Sequence, residues 1–179
     1  RLLYALDVSN VAEPRYLWSL TNDQVPELGQ TWSQAQLTLI KGHSNPVLIL
    51  GAGYDPAEDQ EPAPATNSQG RGILILDAMT GGVLWAALAD CTGVTVATGG
   101  HCETVSAMTK SFPADVTVLD KDLDGFTDRL YAADVGGNIW RVDLEAASPA
   151  TTAFSDIEVN KFASLGGSGN SARKFLFAP

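Results

Sequence analysis

Three stretches of the chain repeat one frame. LYALDVSNVAEPRYLWSL from Leu3, ILILDAMTGGVLWAAL from Ile73 and LYAADVGGNIWRVDL from Leu130 each run as an apolar strand ending in aspartate, a turn, and a second strand carrying tryptophan. The aspartates are Asp7, Asp77 and Asp134; the tryptophans are Trp18, Trp85 and Trp140. Aspartate followed by Thr80-Gly81-Gly82 or Gly136-Gly137-Asn138 supplies positive-φ turn chemistry, so each frame predicts a β-hairpin. The spacing of the frames exceeds a minimal four-stranded propeller blade and leaves room for inserted loops. One tryptophan per hairpin lets adjacent sheets pack through a large flat side chain. The fold class is therefore all-β, part of a β-propeller with quinoprotein-like blades and long inserted loops. An antiparallel sandwich whose hairpins look alike by chance is the alternative.

Between the hairpins, QLTLI (36–40), PVLILGAG (46–53) and ADVTVLD (114–120) read as further strands. The proline- and acid-rich run from Tyr54 and SLGGSGNSA from Ser164 read as surface loops. The hairpin count predicts about three to four blades over residues 1–179, where closed rings have about 4 to 8. The expectation is one incomplete propeller domain that partners the remainder of a ring or parent protein. Termini that fall in ordered-looking sequence, RLLYAL and RKFLFAP, fit a chain that begins mid-domain or after processing.

Twenty-one acidic residues against 11 basic ones give a net charge of −10, which repels nucleic acid and anionic lipid and favours a divalent cation as partner. No run approaches the ~18 consecutive apolar residues of a membrane span, so direct membrane insertion is not expected. The N-terminus lacks the basic, apolar, small-residue order of a signal peptide. Cys91 and Cys102 bracket a polar, glycine-rich loop at a spacing that fits neither a CxxC redox pair nor a zinc site. An even count in a Ser/Thr/Gly-rich chain predicts a local disulfide and an extracytoplasmic location, the alternative being two unrelated buried thiols.

DKDLDGFTD, residues 120–128, places aspartates at its first, third, fifth and ninth positions and glycine at its sixth. Two carboxylates ~5 Å apart repel by roughly 3 kcal/mol at an effective dielectric of about 20, so four around one point force a loop open unless a cation neutralises them. Calcium takes about 6 to 8 oxygens, and this alternation can wrap one ion with the side chains of Asp120, Asp122, Asp124 and Asp128 and the main-chain carbonyl of Phe126. Gly125 permits the sharp turn, and Asp128 is the candidate bidentate closing ligand. An EF-hand needs glutamate at position 12 and an exiting helix; Tyr131 and a strand stand there instead. Magnesium fits less well because it keeps its waters, and an Asp-rich solvated turn is the alternative without a metal.

The run from Phe112 to Leu144, with LGQTWSQAQL, LILGAGYD and GILILDAMTGGVLW upstream and RKFLFAP at the end, resembles the C-terminal β-propeller of the PilY-type family. These are calcium-binding factors of bacterial type IV pilus assembly that also act as adhesins at the pilus tip. The resemblance implies that Asp120, Asp122, Asp124 and Asp128 are side-chain ligands of Ca2+ and Phe126 a main-chain ligand. It further implies that calcium occupancy is linked to pilus extension and retraction. Minor pilins or other tip subunits would be the partners, and the cell surface at the pilus tip, reached through periplasm and outer membrane, the location. No DxSxS metal-adhesion motif occurs in the chain, so host-surface binding is not carried over.

Other features carry less. The aspartate, TGG and tryptophan order also resembles quinoprotein dehydrogenase repeats, but the cysteines are not adjacent and the chain is short for enclosing that cofactor. A structural propeller that scaffolds outer-membrane assembly shares the fold without needing the acidic loop. No enzymatic function is expected: His43 and His101 read as exposed loop histidines with no nucleophile, and GGSGN from Gly166 lacks the Lys-Ser/Thr of a phosphate loop. Asp55, Glu58, Asp59 and Glu61 read as a solvated acidic loop, with a second, weaker calcium as the alternative.

Overall fold

The computed structural model describes residues 1–145, 154–168 and 172–179, which leaves 169–171 of the glycine-serine connector outside the described residues. The described strands are β1 (Leu2–Asp7), β2 (Arg15–Thr21), β3 (Gln36–Thr38), β4 (Val47–Gly51), β5 (Gly72–Asp77), β6 (Val83–Leu88), β7 (Val96–Thr104), β8 (Thr117–Leu119), β9 (Arg129–Ala133), β10 (Asn138–Asp143) and β11 (Glu158–Ser164). Short 3-10 turns span Pro56–Asp59 and Phe154–Asp156. The chain is all-β, and no helix among the described residues is long and apolar enough to cross a membrane.

Each repeated aspartate closes its own hairpin. Asp7 Oδ1 accepts the Ser9 N–H at 2.9 Å, Asp77 Oδ1 those of Met79 and Thr80 at 2.8 Å each, and Asp134 Oδ1 those of Gly136 at 2.9 Å and Asn138 at 3.0 Å. The carboxylate thus satisfies backbone donors that a tight turn leaves without partners. Gly81 (φ 72°) and Gly137 (φ 75°) take the left-handed conformation the turns require. The tryptophans divide the work differently. Trp140 Nε1 donates to Asp134 Oδ2 at 2.8 Å and Trp18 Nε1 to the Ala78 carbonyl at 3.0 Å, the latter tying the first hairpin to the turn of the second.

Three sheets result: β1-β2, β3-β4-β5-β6-β7 and β8-β9-β10-β11, each antiparallel except for β7, which runs parallel to β6. Among the described residues they do not close into a ring. The middle sheet is covered on both faces, which is why β5 and β6 read as continuous apolar runs rather than alternating ones. Val47, Ile49, Ile73, Ile75, Trp85 and Ala87 pack against Leu130, Ala132, Trp140 and Val142 of the third sheet. Leu50, Leu74, Leu76, Ala86 and Leu88 pack on the other side against Trp18, Leu20, Val25 and Leu28. Opposite Ile75 and Leu76 the β6 ladder slips by one residue, so Leu84 and Trp85 both join the cluster facing the third sheet.

The segment between the cysteines departs from its expected form. Cys91 and Cys102 are bonded, as predicted, but most of the glycine-rich stretch is β7, not a loop. Residues 89–95 carry the chain back along β6 so that β7 can pair in parallel, with Ala86 opposite Cys102. The Thr95 N–H donates to the Gln24 carbonyl at 2.8 Å, anchoring this return on the first hairpin's flank. Replacing both cysteines by serine is expected to cost roughly 3 kcal/mol on the chain-entropy estimate for a loop of this length, read as a lower urea midpoint at unchanged slope.

Two further expectations are corrected. His43 is not an exposed loop histidine: its Nε2 lies 2.9 Å from Asp77 Oδ2, which also accepts from Asn45 Nδ2 at 2.9 Å. His101 sits on β7 opposite Trp85 and is only partly exposed. The acidic run is not solvated throughout, because Asp55 and Glu58 are buried. Asp55 accepts the Ala57 and Ser68 N–H groups and so closes its own turn. Glu58 binds Lys110 at 2.6 Å, Lys174 at 2.8 Å and Asn67 at 3.0 Å; those cations occupy its oxygens and tie the C-terminal segment to the body.

Asp77 sets an acid limit on the fold. Burial works to raise its pKa but is outweighed by hydrogen bonds from Asn45, His43 and the Thr80 and Met79 N–H groups, which bring it from 3.8 to about 2. A carboxyl depressed in the folded state contributes stability above its unfolded pKa and loses it as pH falls through the folded value. Between about pH 4 and pH 2 the protein is expected to lose about 2 kcal/mol that the Asp77→Asn variant does not lose, measured by urea unfolding across that range.

Candidate metal centre

The acidic loop spans the end of β8 to the start of β9, and its backbone is shaped by its own carboxylates. Asp120 Oδ1 accepts the Leu123 N–H at 2.7 Å and Asp120 Oδ2 the Gly125 N–H at 2.8 Å. Asp124 Oδ1 accepts the Phe126 N–H at 3.0 Å. Leu123, at φ 64°, is a non-glycine residue in the left-handed region, and Gly125 follows at φ 93°. These turns bring one oxygen each of Asp120, Asp122 and Asp124 within 4.8 Å of one another. The loop is then pinned on both sides. The Thr127 N–H donates to the Leu39 carbonyl beyond β3 at 2.8 Å, and the Asp128 carbonyl accepts the Leu144 N–H beyond β10 at 2.8 Å.

Asp128 differs from the other three aspartates. It is 1% exposed, its Oδ2 accepts the Lys121 N–H at 2.6 Å, and its Oδ1 is buried with no hydrogen-bond partner. Burial first, then the neighbouring Glu145, push its carboxyl up from the ordinary aspartate range. A buried acceptor left unpaired costs about 1–3 kcal/mol, more when charged, and the loop's own backbone does not offset that cost at this oxygen. Oδ2 thus carries one backbone bond and Oδ1 none.

Two residues that the loop's own spacing does not reveal complete the centre. Lys41, in the turn between β3 and β4, places Nζ 2.8 Å from Asp124 Oδ2, 3.7 Å from Asp122 Oδ2 and 3.9 Å from Asp128 Oδ1. Glu145, just past β10, holds the same ammonium at 2.8 Å through Oε1, and its Oε2 lies 3.4 Å from Lys121 Nζ. Lys41 first, then Asp128 and Lys121, hold the Glu145 carboxyl down at about 2, and Lys41 also lowers Asp124. The ammonium rests where these carboxylates converge and so stands in for a cation. Oxygen donors alone, several of them anionic, suit a hard ion such as calcium and not a thiolate- or imidazole-seeking metal.

The acidic loop lay in the sequence as one contiguous motif; Lys41 and Glu145 are 79 and 25 residues from Asp120 and carry no spacing signal.

No protein-family model matches the chain. The type IV pilus biogenesis factor PilY1 of Pseudomonas aeruginosa strain PAO1 is 30% identical over 145 residues, covering 80% of this chain and 10% of that protein. The PilY1 homolog of Xylella fastidiosa strain Temecula1 is 24% identical over 152 residues, covering 83% of the chain and 9% of that protein. The chain thus spans about a tenth of the length of these relatives. The crystal structure of the Pseudomonas aeruginosa PilY1 C-terminal domain superposes with a TM-score of 0.72 at 23% identity, over 99% of this chain and 34% of that one. Repeated hairpins, three stacked sheets and the acidic loop are thus found together in a chain that belongs with the PilY1 type IV pilus biogenesis factors.

Proposed function

We propose that the 120–128 loop binds one calcium ion, and that the chain is a calcium-bearing, non-catalytic part of a β-propeller in a type IV pilus biogenesis factor. The observation that carries the reading is the convergence of Asp120, Asp122 and Asp124 within 4.8 Å; the buried Asp128 Oδ1 lies outside that group and is linked to it through Lys41, 3.9 Å away. Asp120, Asp122, Asp124 and Asp128 would hold the ion with side-chain oxygens and Phe126 with its carbonyl. Bound calcium supplies the positive charge that lets these carboxylates share one volume. The chain's own part is to hold the loop between the middle and third sheets, so that occupancy is felt where Leu39 and Leu144 anchor it.

On this reading the factor works at the cell surface, at the pilus tip, with minor pilins or other tip subunits, and calcium occupancy regulates extension and retraction. The blades β3-β6 and β8-β11, with the β1-β2 hairpin, are its share of the propeller; the rest of the ring lies elsewhere in the parent protein. Support comes from the PilY1 relatives and from the disulfide, which suits an oxidising compartment. Calcium titration calorimetry, paired with twitching assays of bacteria carrying loop variants in the full-length factor, tests it. Absence of calcium binding overturns the site, and normal pilus dynamics despite lost binding overturns the regulation.

A further inference from the structure

We infer that Lys41 is a tethered competitor for the cation, so that calcium enters this centre by displacing a lysine that belongs to the neighbouring sheet. The inference rests on the calcium reading and adds what sets the affinity. Nζ lies within 3.9 Å of three of the four proposed ligand carboxylates, on a side chain only 19% exposed. A calcium ion takes its oxygens at about 2.3–2.6 Å, so an ion held by those same carboxylates and the ammonium cannot both occupy the space between them. One positive charge must leave for two to enter.

Glu145 gives the departing ammonium a destination. It lies outside the loop, already holds Nζ at 2.8 Å, and keeps Lys41 paired once Asp124 turns to the metal. The exchange has two consequences. Without calcium the loop carries its own counter-charge, so the carboxylates do not drive it apart. With calcium, the Lys41–Asp124 bond between the β3–β4 turn of the middle sheet and the loop of the third is broken, and the link between these sheets changes with occupancy.

The test is calcium affinity of the intact protein carrying K41Q or K41R, measured by calorimetry, with melting temperature in chelator and in saturating calcium. K41Q removes the competitor and is expected to bind calcium about tenfold tighter. K41R keeps the charge and is expected to stay near wild type. In chelator K41Q is expected to melt below wild type, and in saturating calcium that gap is expected to narrow, since the displaced lysine no longer bonds Asp124. Unchanged or weaker calcium affinity in K41Q, with calcium still bound by wild type, overturns the role of Lys41 and leaves the calcium reading standing. No calcium binding by either protein overturns both.

Discussion

Asp120→Ala and Asp128→Ala are each expected to weaken calcium binding by more than about a hundredfold, since even residues that only support a metal's ligands cost roughly 10–100-fold when removed. Asp120 organises the loop through the Leu123 and Gly125 N–H groups, so its loss removes an oxygen and the shape that gathers the others. Asp128 contributes the buried oxygen. His101→Ala, on β7 and away from the loop, is the control expected to bind normally. The sign of the stability effect adds a sharper check. A ligand that binds only the folded state stabilises it by about 2.7 kcal/mol at a hundred times its Kd, so wild type should melt higher in calcium. Asp128→Asn removes a buried carboxylate whose Oδ1 has no hydrogen bond; in chelator it should be nearly as stable as wild type, yet gain less from calcium. Wild-type affinity in Asp128→Asn and Asp128→Ala would sink the ligand assignment.

The second large effect lies in the core. Trp85 is fully buried at the centre of the middle sheet, opposite Ile75, and Trp→Ala changes in such positions cost about 3–5 kcal/mol. Against a total stability of about 5–15 kcal/mol this removes a large share, so Trp85→Ala is expected to unfold at markedly lower urea or to be recovered as aggregate. The phenylalanine variants separate packing from polarity. Trp85 Nε1 is buried without a partner, whereas Trp140 Nε1 serves Asp134. Trp85→Phe loses volume but relieves an unsatisfied donor, while Trp140→Phe strips a bond from a buried carboxylate that also closes a turn. Trp140→Phe should therefore be the more damaging of the two by urea titration; the reverse order would show that ring volume outweighs hydrogen bonding in this core.

The hairpins were legible because their information is local. Asp77, Thr80 and Gly81 set a turn within a few residues, and the apolar runs beside it need only a sheet on each face. The acidic loop was legible for the same reason, its carboxylates alternating in nine consecutive residues. β7 and β11 were not. VATGGHCET carries two glycines and no alternation, and it is a strand only because β6 offers an edge and the disulfide fixes the return. EVNKFAS is a polar edge strand whose main recommendation is the vacant side of β10. Lys41 reached the loop through the packing of one sheet on another, and His43 reached Asp77 through the pairing of β4 with β5. Local chemistry wrote the turns and the acidic loop; the partners that tune them came from tertiary assembly.

The Cys91–Cys102 bond acquires a mechanical meaning in a chain that is pulled from its ends. The sulfur bridge shortens the load-bearing path across an 11-residue separation, withholding about 35–40 Å of contour at full extension. Because β6 and β7 run parallel and side by side, force drawn along the chain tends to shear them rather than peel them apart, and the bridge holds the crossover shut at the outset. Tension is passed instead to the neighbouring β5 and β6 strands and to the first hairpin docked on them. A thiol reagent would then act as a release of hidden length, lengthening the tether without severing it.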